Sequence, residues 1–255
     1  MKSLLEDEEI EYLHKNFRFT TEASSDRNGS ITATELLDHQ TCISYIDDIT
    51  KIMQSPSRKV TAAQFSKRYG FLIVIPSLYA MTVYNKGLDF SIGNIHVESL
   101  YQDELWLPNL RLTDLSATKP GENRIEWRDQ VLTAIFAENL AKVWHVFSRA
   151  MRISTTILWE NTAVYAYWLY EKRLALETDA RVKEHIRDDF HYLIHEASAS
   201  IFGINENPLK KYYGKTGLSP NIDGSVRVRK TCCLYYQLSS NEDYCSTCPK
   251  IKPCQ

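Results

Sequence analysis

Hydrophobic positions recur along this chain with two periods, helical at both ends and strand-like in the middle. In residues 4–17 acidic and apolar positions alternate at roughly helical spacing, with Ile10, Leu13 and Phe17 in step, which predicts a short amphipathic helix. Asn28-Gly29 then reads as a turn, and Thr32 with Glu35 three residues on is a capping box. The same stretch imitates a calcium loop, with Gly29 at loop position six and Asp26, Asn28, Ile31 and Glu35 in register. Ser24 stands where the first acidic ligand belongs, and losing that charge favours the plain turn. A second capping box, Thr61 with Gln64, opens a helix carrying Phe65 and Tyr69. The run Phe71-Leu72-Ile73-Val74-Ile75 has the composition of a buried strand ending at Pro76, although the length to Tyr84 also suits one long kinked helix.

The period shortens to two between residues 88 and 114. Leu88 to Ile92, the pair Gly93-Asn94 and Ile95 to Val97 form a hairpin pattern, while Leu105-Trp106-Leu107 and Leu110-Arg111-Leu112 flank Pro108-Asn109. A small antiparallel sheet is expected here, followed by a loop at Lys119-Pro120-Gly121. Beyond Trp127 the helical pattern returns: Leu132, Phe136, Leu140, Val143, Phe147 and Met151 step by four, four, three, four and four. A second helix from Ile157 to Leu169 is aromatic and nearly unbroken, so it should be central in a bundle. A third runs from about Asp179 to Ile201. The segment from Asn207 to Thr231 is punctuated by Pro208, Gly214, Gly217, Pro220 and Gly224 and reads as a loop. The expected class is α+β: mainly an α-helical bundle with a small antiparallel β-sheet and an irregular cysteine-rich C-terminal tail. Residues 1–60 form an N-terminal helical segment, 61–206 the core, and 207–255 the basic loop and tail.

At 255 residues, with 44% hydrophobic and 24% charged positions, the chain is long enough for a sizeable core and ordinary for a globular protein. A net charge of −2 gives no global pull toward nucleic acid or membrane. Met1-Lys2-Ser3 leads straight into Glu6-Asp7-Glu8-Glu9 without a secretion signal, and the apolar run from Phe71 is too short to span a bilayer, so a cytoplasmic location is expected.

Cysteine changes the picture. Four of six cysteines fall within seventeen residues, as Cys232-Cys233, an eleven-residue spacer, and Cys245-x-x-Cys248; the others are Cys42 and Cys254. Such concentration points to a metal or redox site. Three readings compete on chemistry alone. A structural zinc site normally pairs two Cys-x-x-Cys knuckles, whereas adjacent cysteines diverge and chelate one small ion with difficulty. A two-iron, two-sulfide cluster offers ligand positions over a wider volume. Disulfides are the third option, without a secretion signal to support them.

The residues from Arg229 to Tyr236 (Arg-Lys-Thr-Cys-Cys-Leu-Tyr-Tyr), followed by Cys245-Ser246-Thr247-Cys248-Pro249, resemble the C-terminal motif of FhuF-type ferric-siderophore reductases. The spacer is one residue longer than that family's usual one. Phe65-Ser66-Lys67-Arg68-Tyr69-Gly70, Leu78-Tyr79-Ala80-Met81 and Leu158-Trp159-Glu160-Asn161 resemble further landmarks of the family. The resemblance implies a 2Fe–2S cluster on Cys232, Cys233, Cys245 and Cys248, and a long kinked helix through Pro76. It also implies reduction of ferric siderophores in the cytoplasm; a 2Fe–2S cluster passes one electron at a time, as ferric-to-ferrous conversion needs, and hydroxamate or citrate-type complexes are the expected substrates because catecholates hold ferric iron at much lower potential.

The sequence holds other candidate residues. Lys210, Lys211, Lys215, Arg227, Arg229 and Lys230 face one acid, Asp223, across the expected loop, a local cationic excess able to attract an anionic complex. Of these, Lys210, Lys211, Arg227, Arg229 and Lys230 are the candidate substrate residues. His191 and His195 sit one turn apart but lack the glutamate of a His-Glu-x-x-His site, and His145 follows Trp144 as a core-edge histidine would. No dinucleotide fingerprint is visible, so an external ferredoxin or flavoprotein is the expected electron donor. An iron–sulfur carrier or sensor for a protein partner, and a non-redox siderophore-binding module, are the alternatives from other classes.

Overall fold

The computed structural model describes residues 2–25, 27–102, 105–214, 217–219, 222–238 and 243–251. Strand β1 (Lys2–Leu4) leads into helix α1 (Asp7–Phe17), whose first turn is closed reciprocally by Glu6 and Glu9 and carries three acids. Strands β2 (Phe19–Thr20) and β3 (Ile31–Thr32) follow, joined by a turn in which Gly29 takes a φ of +76°. Glu35 accepts from the Thr32 amide at 2.8 Å and from its hydroxyl at 2.6 Å, so only the carboxylate half of the expected capping box forms, and the single 3₁₀ turn that follows is capped by Thr34 without a side-chain bond. The carboxylate is thereby committed to the backbone; Asp26 of the calcium-like pattern lies outside the described residues.

Helix α2 (His39–Ile52) and the 26-residue α3 (Arg58–Val83) come next. The cap of α3 is Ser57, whose hydroxyl accepts from the Val60 amide at 3.3 Å. Thr61, expected as a cap, is instead inside the helix with its hydroxyl bonded back to Ser57 O. The apolar run Phe71–Ile75 is helical, and Pro76 is accommodated inside α3 rather than ending it. Burial explains why composition alone misled there: nearly every position from Val60 to Thr82 is buried, so no amphipathic stripe survives to show the helical period.

The sheet region departs from the expected hairpin. Strand β4 (Gly87–Leu88) pairs with β9 (Ser116–Thr118), not with its neighbour, and β1 adds to the other side of β9. Residues 92–94 form a 3₁₀ turn, and β5 (Ile95–Glu98) pairs antiparallel with β8 (Asn109–Leu112). Strands β6 (Tyr101–Gln102) and β7 (Leu105–Trp106) make a separate small hairpin. Register follows the pleat, with Leu110 and Leu112 buried opposite Val97 and Ile95.

The long helical stretch α4 (Arg124–Ile135) and α5 (Ala141–Ala150) is joined by a π-helical turn over Phe136–Leu140. That turn keeps Leu132, Phe136, Leu140, Val143, Phe147 and Met151 on one buried face. Helix α6 (Thr155–Trp168) makes its most extensive interface with α3 and ends in a second π turn. Helix α7 (Ala180–His191) runs into a third π turn and stops at Glu196, short of Ile201, which lies in a 3₁₀ turn. The expected loop after 207 holds a short helix α8 (Pro208–Tyr212) and a hairpin of β10 (Gly217–Ser219) with β11 (Ile222–Val226). One hydrophobic core takes in residues from Leu5 to Tyr212, including α1 and α2. Among the described residues, no helix is long and apolar enough to cross a membrane.

Candidate metal centre

The cysteine tail is fastened to α3 and α6 by polar side chains that both helices present at one level. From α3, Gln64 donates its amide to the carbonyl of Cys233 at 2.7 Å, fully buried. From α6, Glu160 accepts the backbone amides of Lys230 and Thr231, each at 2.6 Å, and the Thr231 hydroxyl. Asn161, beside it, donates to Ala63 O at 3.0 Å and Ser66 Oγ at 2.7 Å, locking α6 against α3, and accepts from the Arg229 guanidinium. Arg229 also lies 3.9 Å from Glu160, and its own amide binds Thr247 O at 3.0 Å, which joins the two cysteine segments. A charge and an amide buried in an apolar helix are expensive unless paired; here the pairing is with the tail. Glu160 and Asn161 were legible as landmarks, and their polarity inside an aromatic helix was the signal of a docking role.

The thiols gather in two contacting pairs. Cys233 and Cys245 approach to 3.6 Å between sulfurs, and the Cys232 thiol meets that of Cys248. All four are free rather than disulfide-bonded, as is Cys42; Cys254 lies outside the described residues. Cys233 and Cys248 are buried, Cys232 and Cys245 half-buried. Backbone amides point at the sulfurs: Leu234 N–H reaches Cys232 Sγ at 3.4 Å, and Tyr235 N–H donates to Cys233. Leu234 adopts a φ of +62°, the left-handed turn that aims those amides back at the sulfurs. The hydrogen bond from the Cys245 thiol draws the Cys233 pKa down to about 5 against burial, with Lys67 and Arg229 adding to the pull. Burial pushes Cys232 the other way. Lys67, whose ammonium lies 5.3 Å from the centre of the Tyr235 ring, was named in the sequence only as part of a landmark and not as a site residue.

Among the described residues, no group of three or more histidines, cysteines or acids is arranged to hold a metal ion. Two thiol pairs, sulfur-directed amides and two nearby cations do fit a two-iron cluster, which takes four thiolates and leaves net negative charge to be offset.

Residues 63–217 match the family described as "Ferric iron reductase FhuF-like transporter", more than half of the chain. The chain belongs to the FhuF family. Residues 229–250 of this FhuF-family chain match the FhuF 2Fe-2S C-terminal domain, so its tail carries a 2Fe–2S cluster. No curated protein matches the chain.

The basic residues expected to meet substrate are largely engaged by the FhuF-family chain itself. Arg227 binds Glu171 at 2.7 Å and the Gly214 carbonyl, and its guanidinium stacks 4.1 Å from the Tyr213 ring centre. Arg229 is buried on Glu160 and Asn161. Lys211 pairs with Glu206 at 2.5 Å, Lys230 donates to Lys211 O at 2.5 Å, and Lys210 is exposed. Lys215 lies outside the described residues. The histidines do not converge on a site: exposed His191 pairs with Glu196 at 3.1 Å, and exposed His145 lies beside Arg149.

Proposed function

We propose that this protein is a cytoplasmic ferric-siderophore reductase in which Cys232, Cys233, Cys245 and Cys248 hold the cluster. The observation that carries the assignment is the two contacting thiol pairs, 3.6 Å apart at Cys233 and Cys245, in a segment anchored through buried Gln64, Glu160 and Asn161. When bound, a 2Fe–2S cluster supplies one electron at a time, which is what conversion of ferric to ferrous iron consumes. The protein residues then have three tasks. Gln64 and Glu160 fix the backbone of residues 230–233 so that the thiols keep their spacing. The amides of Leu234 and Tyr235, with Lys67 and Arg229, stabilise negative charge at the sulfurs and favour the reduced state. The chain must also let a ferric complex approach within electron-transfer reach; no acid–base residue is required.

Siderophores grip ferric iron with hard oxygens, and the larger, less charged ferrous ion is held far more weakly, so reduction amounts to release. Hydroxamate and citrate-type complexes are the substrates this reading favours, and the donor is a separate ferredoxin or flavoprotein. The test is anaerobic mixing of chemically reduced protein with a ferric trihydroxamate and a ferrous-specific chelator. Trapped iron should approach one equivalent per reduced cluster, and serine at any of the four cysteines should abolish both cluster and product. A cluster that stays reduced with every ferric complex, yet reoxidises with a protein partner, would replace this reading with that of an electron carrier.

A further inference from the structure

Most half-buried and buried cations of this protein have a carboxylate partner: Lys86 has Glu6 and Glu9, Arg111 has Glu98, Arg124 and Arg128 have Asp188 and Asp189, Arg227 has Glu171, and Arg229 has Glu160. Four cations depart from this pattern: Arg173 gives its donors to Tyr12 and Asn16, and the other three lie together on the Cys233 side of the tail. Arg18 caps α1 in the left-handed region, with its guanidinium 5.5 Å from the Phe71 ring centre. Arg68 spends its donors on the carbonyls of Trp106, at 2.8 Å, and Gln64, at 3.2 Å. Lys67 lies over Tyr235, two residues from Cys233. Among the described residues none of the three makes an ion pair.

Tyr165 ties the group together. Its ring meets Phe71 edge-on at 5.5 Å, and its hydroxyl lies within electrostatic reach of Arg18, Arg68, Arg229 and Cys233. Burial lowers the pKa of both Arg18 and Arg68, and Arg18 adds to that effect on Arg68, so the two guanidiniums repel each other across a partly dry surface. Arg18, Lys67, Arg68, Phe71 and Tyr165 are each half-buried and Tyr235 is exposed, so the patch itself reaches solvent. Uncompensated, mutually repelling cations in a partly desolvated setting raise the local positive potential and are relieved by a bound anion. In the cleft of about 350 Å³ between Trp168 and Val228, Arg227 and Arg229 are already neutralised by Glu171 and Glu160, which leaves Lys172 as the one lining cation without an ion pair among the described residues.

We infer that Arg18, Lys67 and Arg68, with the rings of Phe71, Tyr165 and Tyr235, form the docking face for an anionic, oxygen-chelated trivalent metal complex. The inference deepens the ferric-reductase reading and rests on it for the identity of the metal. The cations meet the carboxylate or hydroxyl oxygens of the chelator, and the rings cover its apolar backbone. This places substrate against the Cys233–Cys245 pair instead of on the basic loop of residues 210–230.

Gallium(III) citrate, which cannot be reduced under these conditions, tests docking apart from electron transfer. Calorimetric titration into the cluster-loaded protein at low ionic strength should give saturable binding. Arg18→Gln with Lys67→Gln should weaken it at least about tenfold, since each cation acts from a partly desolvated position. Lys142→Gln with Lys183→Gln removes the same charge from exposed helix positions and should change affinity less than about twofold. Lys67→Arg should restore most of the loss, and iron content should stay at about two per chain throughout, showing that the cluster is retained. Binding undiminished in Arg18→Gln/Lys67→Gln, binding lost only in Lys210→Gln/Lys211→Gln, or no binding by the parent protein would each overturn the assignment. Gallium binding that behaves as stated, with no ferric complex reduced, would leave the face standing and sink the reductase reading alone.

Discussion

Replacing Glu160 by alanine removes the acceptor of two backbone amides and one hydroxyl, and strands a guanidinium that is buried with it. Both side chains of the Glu160–Arg229 pair are 3% exposed, so water cannot take over without the tail moving. Breaking one partner of a buried pair costs about 3–5 kcal/mol, and two orphaned donors add to this. The structure directs that cost: every group left unpaired belongs to residues 229–231, while Asn161 still locks α6 to α3. Undocking the tail relieves the loss, so the penalty appears as an opening equilibrium. At about 1.4 kcal/mol per factor of ten, 3 kcal/mol makes the open form about a hundredfold more populated. The assay is the rate of cluster bleaching in excess ferrous chelator, which tracks that population where opening is rapid. Glu160→Ala should lose its cluster about a hundred times faster, with the thermal midpoint of the helical core within a few degrees of the parent. Unchanged bleaching together with a large fall in that midpoint would refute the reasoning, because it would make Glu160 a support of the bundle.

Two more outcomes follow from buried groups remote from the thiols. Asp189, fully buried, accepts from Arg124 at 2.6 and 2.9 Å, Arg128 at 3.1 Å and Thr82 at 2.9 Å; Asp189→Asn should lower the thermal midpoint by about 10 °C, corresponding to about 3 kcal/mol, and leave the cluster spectrum intact by absorption. Burial raises the Cys42 thiol from 9.0 to about 12. Above pH 9 the unfolded chain gives up that proton while the folded one keeps it, so the contribution to stability is complete below pH 9 and is lost progressively as pH rises toward 12. Denaturant midpoints measured from pH 8 to 10.5 should therefore fall less steeply in Cys42→Ala than in the parent.

The helices were legible where one face is apolar. The stripe from Leu132 to Met151 is buried as its spacing indicated, even though a π turn interrupts the helix. A period can survive such a turn because the extra residue is absorbed without moving the face. Strand pairing was less legible, since β4 finds its partner across a 3₁₀ turn and most of the sheet region, and local pattern carries no information about that choice. The cysteines announced a centre by concentration alone. The segment around Arg18 did not, because a lone arginine after a short helix looks like any solvated cation until the fold sets it beside Arg68 and Tyr165. Arg227 and Arg229 stood out by local charge, and their acids, Glu171 and Glu160, lie more than fifty positions earlier.

The notch formed by Gln64, Ser66, Glu160 and Asn161 also bears on how the protein matures. All four side chains stand on α3 and α6, and the fully buried core they border is built from residues no later than Tyr212, with Leu234 of the tail packed against its edge. During synthesis the receiving surface is therefore finished before the cysteines emerge. Iron and sulfide meet thiols on a strap that has a folded body to close against, and closure places Lys230 and Thr231 on Glu160 as the final stitch. Because the buried core precedes the cysteines in the chain, loss of the centre is expected to leave the bundle folded, which the thermal midpoint of the cluster-free protein would check.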